Sequence, residues 1–228
     1  MKSLFSMAAA ALILTAAVSG SVSAESYFLP EPLPYTVHAS DGYAVTEFRP
    51  VGWSKDGRFA YIEALIDEKY NNCFVVYHIT DAVTDKPVFS LTDRESWEES
   101  SADTLVKNSW KSHYQAFTAE CAKSGIRQKV YTFLPSFPLA ANGTEYSGQA
   151  EVSRTKESAF FTISVNAAAL GVKEIGRGEE RNLEQVRAGF YLPSPYEMRI
   201  IVLVEIETAM REVYYTLMGC HLKAGYGG

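Results

Sequence analysis

Val51-Gly52-Trp53-Ser54-Lys55-Asp56-Gly57-Arg58-Phe59-Ala60-Tyr61-Ile62-Glu63 reads as a β-hairpin. Two apolar, aromatic-rich runs flank Ser54-Lys55-Asp56-Gly57, where aspartate tolerates a tight turn and glycine supplies the positive φ that reverses the chain. Beyond the turn, residues 59–66 place Phe59, Tyr61 and Leu65 on one face and Ala60, Ile62, Ala64 and Ile66 on the other. A strand apolar on both sides belongs inside a sheet or beneath a helix. A polar turn at 67–72 and a third strand at 73–80 complete a meander.

Upstream, short strands are expected at 35–38 and 43–48 around Ser40-Asp41-Gly42. Leu29-Pro30-Glu31-Pro32-Leu33-Pro34 is too proline-rich for a sheet interior and reads as an extended surface lead-in. Residues 1–24 have the pattern of a signal peptide. Lys2 supplies the positive start, residues 7–18 form an apolar run short for a membrane span, and Val22-Ser23-Ala24 precedes a cut before Glu25. The mature chain, 25–228, then forms a single exported globular domain, periplasmic or extracellular.

Downstream of the meander a charged loop at 81–86 and a short strand at 87–91 lead to a change of character. Thr92 and Glu95 have capping-box spacing, which predicts a helical segment over about 93–124, with Ser100-Ser101-Ala102-Asp103 able to divide it into a first turn and a main helix from about 102. Leu105, Val106, Trp110, His113, Tyr114, Phe117 and Cys121 recur at three- and four-residue spacing and form one apolar stripe. Gly125 is the expected stop, and Lys123 suits the negative end of the helix dipole. Strands are expected again at 127–134, 145–155, 159–166, 172–175, 186–192, 196–207 and 212–222, with 176–183 an exposed glycine-rich, charged loop. In the last strand Met218, Cys220 and Leu222 share a face. The pattern predicts an α+β fold: antiparallel β meanders forming one or two sheets, with the 93–124 helix packed on them.

Composition narrows the function. The chain has 228 residues and a formal net charge of −6, with its acidic residues dispersed. That balance argues against nucleic acid, which requires a basic face. The mature part contains no apolar run of about 18 residues, the length a spanning helix needs. It is long enough to bury roughly 70% of the surface its unfolded chain exposes. Cys73, Cys121 and Cys220 allow one bridge, and Cys121 with Cys220 is the expected pair if one forms, since both lie on apolar faces. The favoured reading of all three is small buried hydrophobes.

Two resemblances follow from these residues. The Ser54-Lys55-Asp56-Gly57 turn resembles that of a β-propeller blade, but it occurs once and a helix interrupts the strands, whereas a propeller needs at least four blades. Gly52 to Glu63 as quoted above, the Ala122-Lys123-Ser124-Gly125-Ile126 helix end and Leu192-Pro193-Ser194-Pro195-Tyr196-Glu197 before a terminal apolar strand together resemble a bacterial family of predicted secreted proteins of unknown function, over residues 48 to 222. This chain has Thr208-Ala209-Met210-Arg211 where that family has a more glycine-rich turn. The resemblance carries over no functional residues.

Individual candidates for chemistry are sparse. Gly52-Trp53-Ser54 resembles the first half of a nucleophile elbow, but Asp56 replaces the second glycine and a hairpin follows. His38, His78, His113 and His221 lack zinc-site spacing and read as satisfied or surface histidines. Glu98-Glu99 and Glu179-Glu180 read as solvated charge, and Gly171, Gly176 and Gly178 lack the Gly-Lys-Ser/Thr ending of a phosphate loop. No catalytic, cofactor-binding or metal-binding residue is assigned, and no cofactor is implied. Tyr191, Tyr196, Tyr214 and Tyr215 are the group that could form an exposed patch for a protein or glycan partner. The expected function is an exported, non-catalytic binding or envelope-associated protein. The alternative is a hydrolase of cell-envelope polymers.

Overall fold

The hairpin is built as its sequence requires. In the computed structural model, which describes residues 27–33, 37–38, 44–67, 72–96, 101–209 and 213–226, strands β1 (Val37–His38), β2 (Ala44–Trp53) and β3 (Arg58–Asp67) are antiparallel neighbours. The expected signal peptide, the expected Ser40-Asp41-Gly42 turn and Glu98-Glu99 lie outside the described residues. Gly57 has φ +88°, as the turn demands. The strands expected at 43–48 and 51–53 are one strand with a register shift between Pro50 and Gly52. Proline cannot donate to the ladder, so the bulge falls beside it.

Strands β4 (Asn72–Asp81) and β5 (Lys86–Ser96) extend the sheet in sequence order. Here the expected helix start is corrected. Thr92, Asp93 and Arg94 pair with Val76, Val75 and Phe74, so Thr92 is a strand residue and not a cap. Helix α1 runs Ala102–Lys123, and its N-cap is Ser101, whose hydroxyl accepts from Thr104 N at 3.3 Å. Pairing along β4 supplies a ladder bond at every other residue, which outweighs one local capping box. The helix ends where expected. Gly125 has φ +67°, its N–H donates to Ala122 O, and Ile126 N–H donates to Cys121 O. This is a Schellman cap, with Ile126 buried beside Cys121.

The apolar stripe of α1 covers one face of the sheet. Leu105, Val106, Trp110, Phe117 and Cys121 pack with Ile62, Ala64, Val75, Tyr77 and Ile79. Tyr77 stacks near Trp110 and its hydroxyl meets Ser109 Oγ at 2.9 Å, so that buried hydroxyl has a partner. The opposite face carries Phe48, Trp53, Phe59 and Tyr61, but it opens at Leu65, which is 42% exposed and not buried as its alternation suggested.

After α1 comes β6 (Arg127–Gln128), which pairs with β2 at Trp53 and Gly52. A strand over 127–134 was expected. The ladder stops after Lys129 N–H reaches Val51 O at 2.9 Å, because the next residue of β2 is Pro50, which has no amide hydrogen to give. The lead-in is also more buried than its prolines suggested. Leu33 is inside the core, with its N–H on Phe48 O at 3.0 Å.

Two further sheets complete the molecule. Strands β7 (Leu139–Ala141), β8 (Thr144–Arg154), β9 (Ala159–Ala167) and β10 (Gly171–Glu180) form an antiparallel meander. Strands β11 (Leu183–Pro193), β12 (Arg199–Thr208) and β13 (Val213–His221) form another. The loop expected at 176–183 is therefore mostly strand. Its glycines serve packing: a Cβ on Gly176 would lie 2.4 Å from Met218 Sδ, and one on Gly178 would lie 2.1 Å from the Phe161 ring.

The layers stack through β12, which is buried on both faces. Ile200, Val202, Val204 and Ile206 pack against Ile163, Val165 and Tyr146 of the four-stranded sheet. Ile201 and Leu203 pack against Phe48, Trp53, Phe59 and Tyr61 of the six-stranded sheet. The order is helix, six-stranded sheet, three-stranded sheet, four-stranded sheet. Met218, Cys220 and Leu222 share a core face as expected. Cys121 sits in the helix-side core and Cys220 in the core between the last two sheets. The expected Cys121–Cys220 pair is thus corrected: Cys73, Cys121 and Cys220 are all buried thiols. Burial pushes the Cys121 thiol up to about 12 and raises that of Cys220 as well.

Candidate functional site

The tip of the central hairpin and the end of α1 form the two walls of a polar cleft. It has a volume of about 420 Å³ and is lined by Ser54, Lys55, Asp56 and Arg58 on one side and Lys123, Ser124, Gly125 and Arg127 on the other. The β2–β6 pairing sets the spacing of the walls, since Trp53 is paired with Arg127. That approach requires a glycine. A Cβ on Gly52 would stand 2.0 Å from the Arg127 carbonyl oxygen.

Ser54, the residue that resembled a nucleophile, is 1% exposed. Its hydroxyl donates to Asp56 Oδ1 and accepts from Arg58 N–H at 2.8 Å. Both functions of the oxygen are committed to holding the turn. A nucleophilic serine needs a base on its proton and an open path to substrate. Ser54 is 1% exposed, the carboxylate on its proton is that of its own turn, and the described residues lining the cleft include no histidine.

The charge of the cleft is the reverse of the chain's. Among the described residues Lys55, Arg58, Lys123 and Arg127 line it with one carboxylate, Asp56, which lies 3.4 Å from Arg58. Glu120 pairs with Lys123 at 3.1 Å from the helix side. The whole chain carries −6.

The histidines acquire partners that spacing along the chain could not reveal. His78 Nε2 lies 3.2 Å from Glu63 Oε2, and its ring stacks on Tyr61 at 4.5 Å. His113 Nε2 lies 3.1 Å from Asp93 Oδ2, which ties α1 to β5. His221 Nδ1 accepts from Lys223 N–H at 3.1 Å, and burial with Arg199 beside it lowers its pKa. His38 lies in β1. The registers explain the first pairing: Tyr61 stands opposite His78 across β3 and β4, Glu63 is two residues along the same face, and Ser90 of β5 stands opposite His78 on the other side.

The remaining candidates disperse. Tyr191 and Tyr215 are buried while Tyr196 and Tyr214 are exposed, so the four tyrosines form no single exposed patch. Tyr214 donates to Glu180 Oε2 at 2.6 Å, and that bond holds the Glu180 carboxyl below its usual range, the opposite of a general acid. Glu205 is the carboxylate that sequence reasoning missed. It is buried on β12, and burial, with Glu207 nearby, pushes its pKa up. Arg187 Nη1 lies 2.7 Å away, but its guanidinium is half exposed and remains hydrated, so burial prevails. Its signal in the sequence was the lone acid within Ile200-Ile201-Val202-Leu203-Val204-Glu205-Ile206.

An apolar groove of about 240 Å³ lies on another side of β2, between Phe28, Pro30 and Pro50 and the extended segment Lys129-Val130-Tyr131. Among the described residues no group of three or more histidine, cysteine or acidic side chains is arranged to hold a metal ion, and no helix is long and apolar enough to cross a membrane. Comparison of the chain with family models, curated proteins and solved structures finds no match.

Proposed function

We propose that this chain is an exported binding protein of the cell envelope that acts by contact and not by catalysis, with the cationic cleft as its ligand site. The supporting observation is Ser54. The hydroxyl best placed by sequence for nucleophilic work is engaged on both sides by its own turn, and what the cleft offers instead is a fixed array of cations. Fixed donors on rigid elements suit recognition, because little order is lost on binding. The tripartite N-terminus and the resemblance over residues 48 to 222 support export and an envelope setting.

The alternative, a hydrolase of envelope polymers, is favoured by one observation. His78 Nε2 lies 3.2 Å from Glu63 Oε2, and the residue stands opposite an exposed serine, Ser90, in the register. The test is turnover of peptidoglycan, ester and glycoside substrates by the full mature chain. The binding reading expects none. Turnover that His78→Ala abolishes, with the fold retained, overturns it in favour of the alternative.

A further inference from the structure

We infer that residues 130–134 form a self-complementary pairing edge, through which two copies of this chain associate as an antiparallel two-stranded ribbon. No residue lining the cationic cleft belongs to this run, so the inference goes beyond the reading of that cleft and does not depend on it.

The first ground is a run of strand-forming sequence that the sheet leaves unpaired. Val130, Tyr131, Thr132 and Phe133 are residue types that favour strands, and the chain passes from β6 to Ser136 without a turn or bend. Its ends are pinned, by Lys129 N–H on Val51 O at 2.9 Å and by Tyr191 N–H on Pro135 O at 3.0 Å. Between those points no hydrogen bond joins the backbone of residues 130–134 to any other described residue. A row of unpaired N–H and C=O groups is a template for another strand, and a run already held at both ends loses little order on pairing.

The second ground is what this edge exposes and what guards the others. Val130 is 66% exposed and Phe133 65%, the two highest values among the described large apolar side chains, and the exposed Phe28 lines the groove beside Val130. Apolar side chains scattered singly over a surface need no explanation, but these gather on and beside one unpaired run. The free edges elsewhere carry charge. Strand β5 ends the six-stranded sheet with Lys86, Pro87, Asp93 and Arg94, and β10 ends the four-stranded sheet with Lys173, Glu174, Arg177, Glu179 and Glu180. Charged side chains and proline deter edge pairing. Residues 130–134 contain neither.

The same features select the occupant. Lipid tails offer no hydrogen-bond partner to a backbone amide, so unpaired groups oppose insertion into a bilayer. A second copy of the run satisfies them. Antiparallel pairing centred on Thr132 sets Val130 of each copy opposite Leu134 of the other and Tyr131 opposite Phe133, so apolar side chains meet apolar ones. Lys129 falls opposite Pro135, so no charge meets its like, and the missing amide hydrogen of Pro135 ends the ladder on both sides. Such a contact uses the same edge in both copies and closes at a dimer. A pairing of this length is small beside a stable interface, so the association is weak and depends on concentration.

The experiment is sedimentation equilibrium of the full mature chain over a concentration series, with amide hydrogen exchange measured at both ends of the series. The inference expects the mass to rise from monomer towards dimer and the amides of residues 130–134 to exchange more slowly in the concentrated sample. Val130→Lys, which puts a charge on the edge, and Thr132→Pro, which removes its central donor, are each expected to weaken association about tenfold or more. Val88→Lys, on the exposed face of β5, is expected to leave it unchanged. Val130 and Thr132 are exposed, and the urea midpoint of each variant reports its fold. If Thr132→Pro lowers that midpoint, Val130→Lys decides alone. A chain that stays monomeric up to about 1 mM, or a dimer that both variants leave intact, overturns the inference. So does a monomer that sediments with phosphatidylcholine vesicles and loses that property in Val130→Lys, which would assign the run to a lipid surface.

Discussion

Replacing Gly57 by valine tests the hairpin on which the other layers are assembled. Gly57 has φ +88°, and an L-residue with a Cβ costs about 1–2 kcal/mol in the left-handed region. Sterics add to this. A Cβ at this position would stand 3.1 Å from Glu197 Oε1 and 3.1 Å from Val83 Cγ2. Glu197 is the partner of Arg199, which it binds at 2.6 Å, and Arg199 in turn donates to Ala82 O at 3.0 Å, joining the first sheet to the second. The new side chain must displace one end of that link or move the turn, and overpacking of this kind costs about 1–3 kcal/mol. Loss of glycine's freedom in the unfolded chain offsets about 0.4–1 kcal/mol. The net expectation is a destabilisation of about 1–4.5 kcal/mol. With a urea slope of about 2 kcal/mol per molar, the midpoint falls by about 0.5–2.3 M. Asparagine tolerates positive φ, so Gly57→Asn is expected to cost less than Gly57→Val, and Lys55→Ala at the exposed tip is expected to cost nothing measurable. Equal midpoints for Gly57→Val and the parent, or a larger loss for Gly57→Asn, would refute both the turn geometry and its role as a joint.

Further outcomes follow from other parts of the fold. Ser101→Ala should lower stability by about 1 kcal/mol through loss of the helix cap, whereas Thr92→Ala, on an exposed strand position, should change it little; equal effects in denaturant titration would restore the earlier helix start. Glu205 binds its proton more tightly in the folded chain than its ordinary value of 4.5 implies, so its contribution to stability is complete below that value and is lost as pH rises through the raised one. Glu205→Gln should remove that loss, and midpoints for parent and variant that stay parallel from pH 4 to pH 8 would count against a buried, uphill carboxylate. Cys73, Cys121 and Cys220 are buried thiols, so a thiol reagent should label them slowly in the native protein and all three rapidly in urea; a bridged peptide in a non-reducing map of the native protein would contradict this.

What the sequence determined by itself was whatever depends on near neighbours. The Ser54–Gly57 turn, the α1 stripe and the Gly125 stop are each specified within one or two turns of chain, where φ preferences, capping and a 3.6-residue period act directly. The α+β class followed from counting such elements. Tertiary pairing decided the rest. Thr92 had a capping pattern but stands opposite Val76 in a ladder, and Gly176 and Gly178 had the composition of a loop but make room for Met218 and Phe161 from other strands. The same holds for the site. Lys55, Arg58, Lys123 and Arg127 meet because β6 pairs with β2 across more than seventy residues of chain, and His78 meets Glu63 because two strands are in one register. Local signals cannot encode those meetings, since the free energy that selects them comes from burying both faces of β3 and β12 between layers that are far apart in the chain.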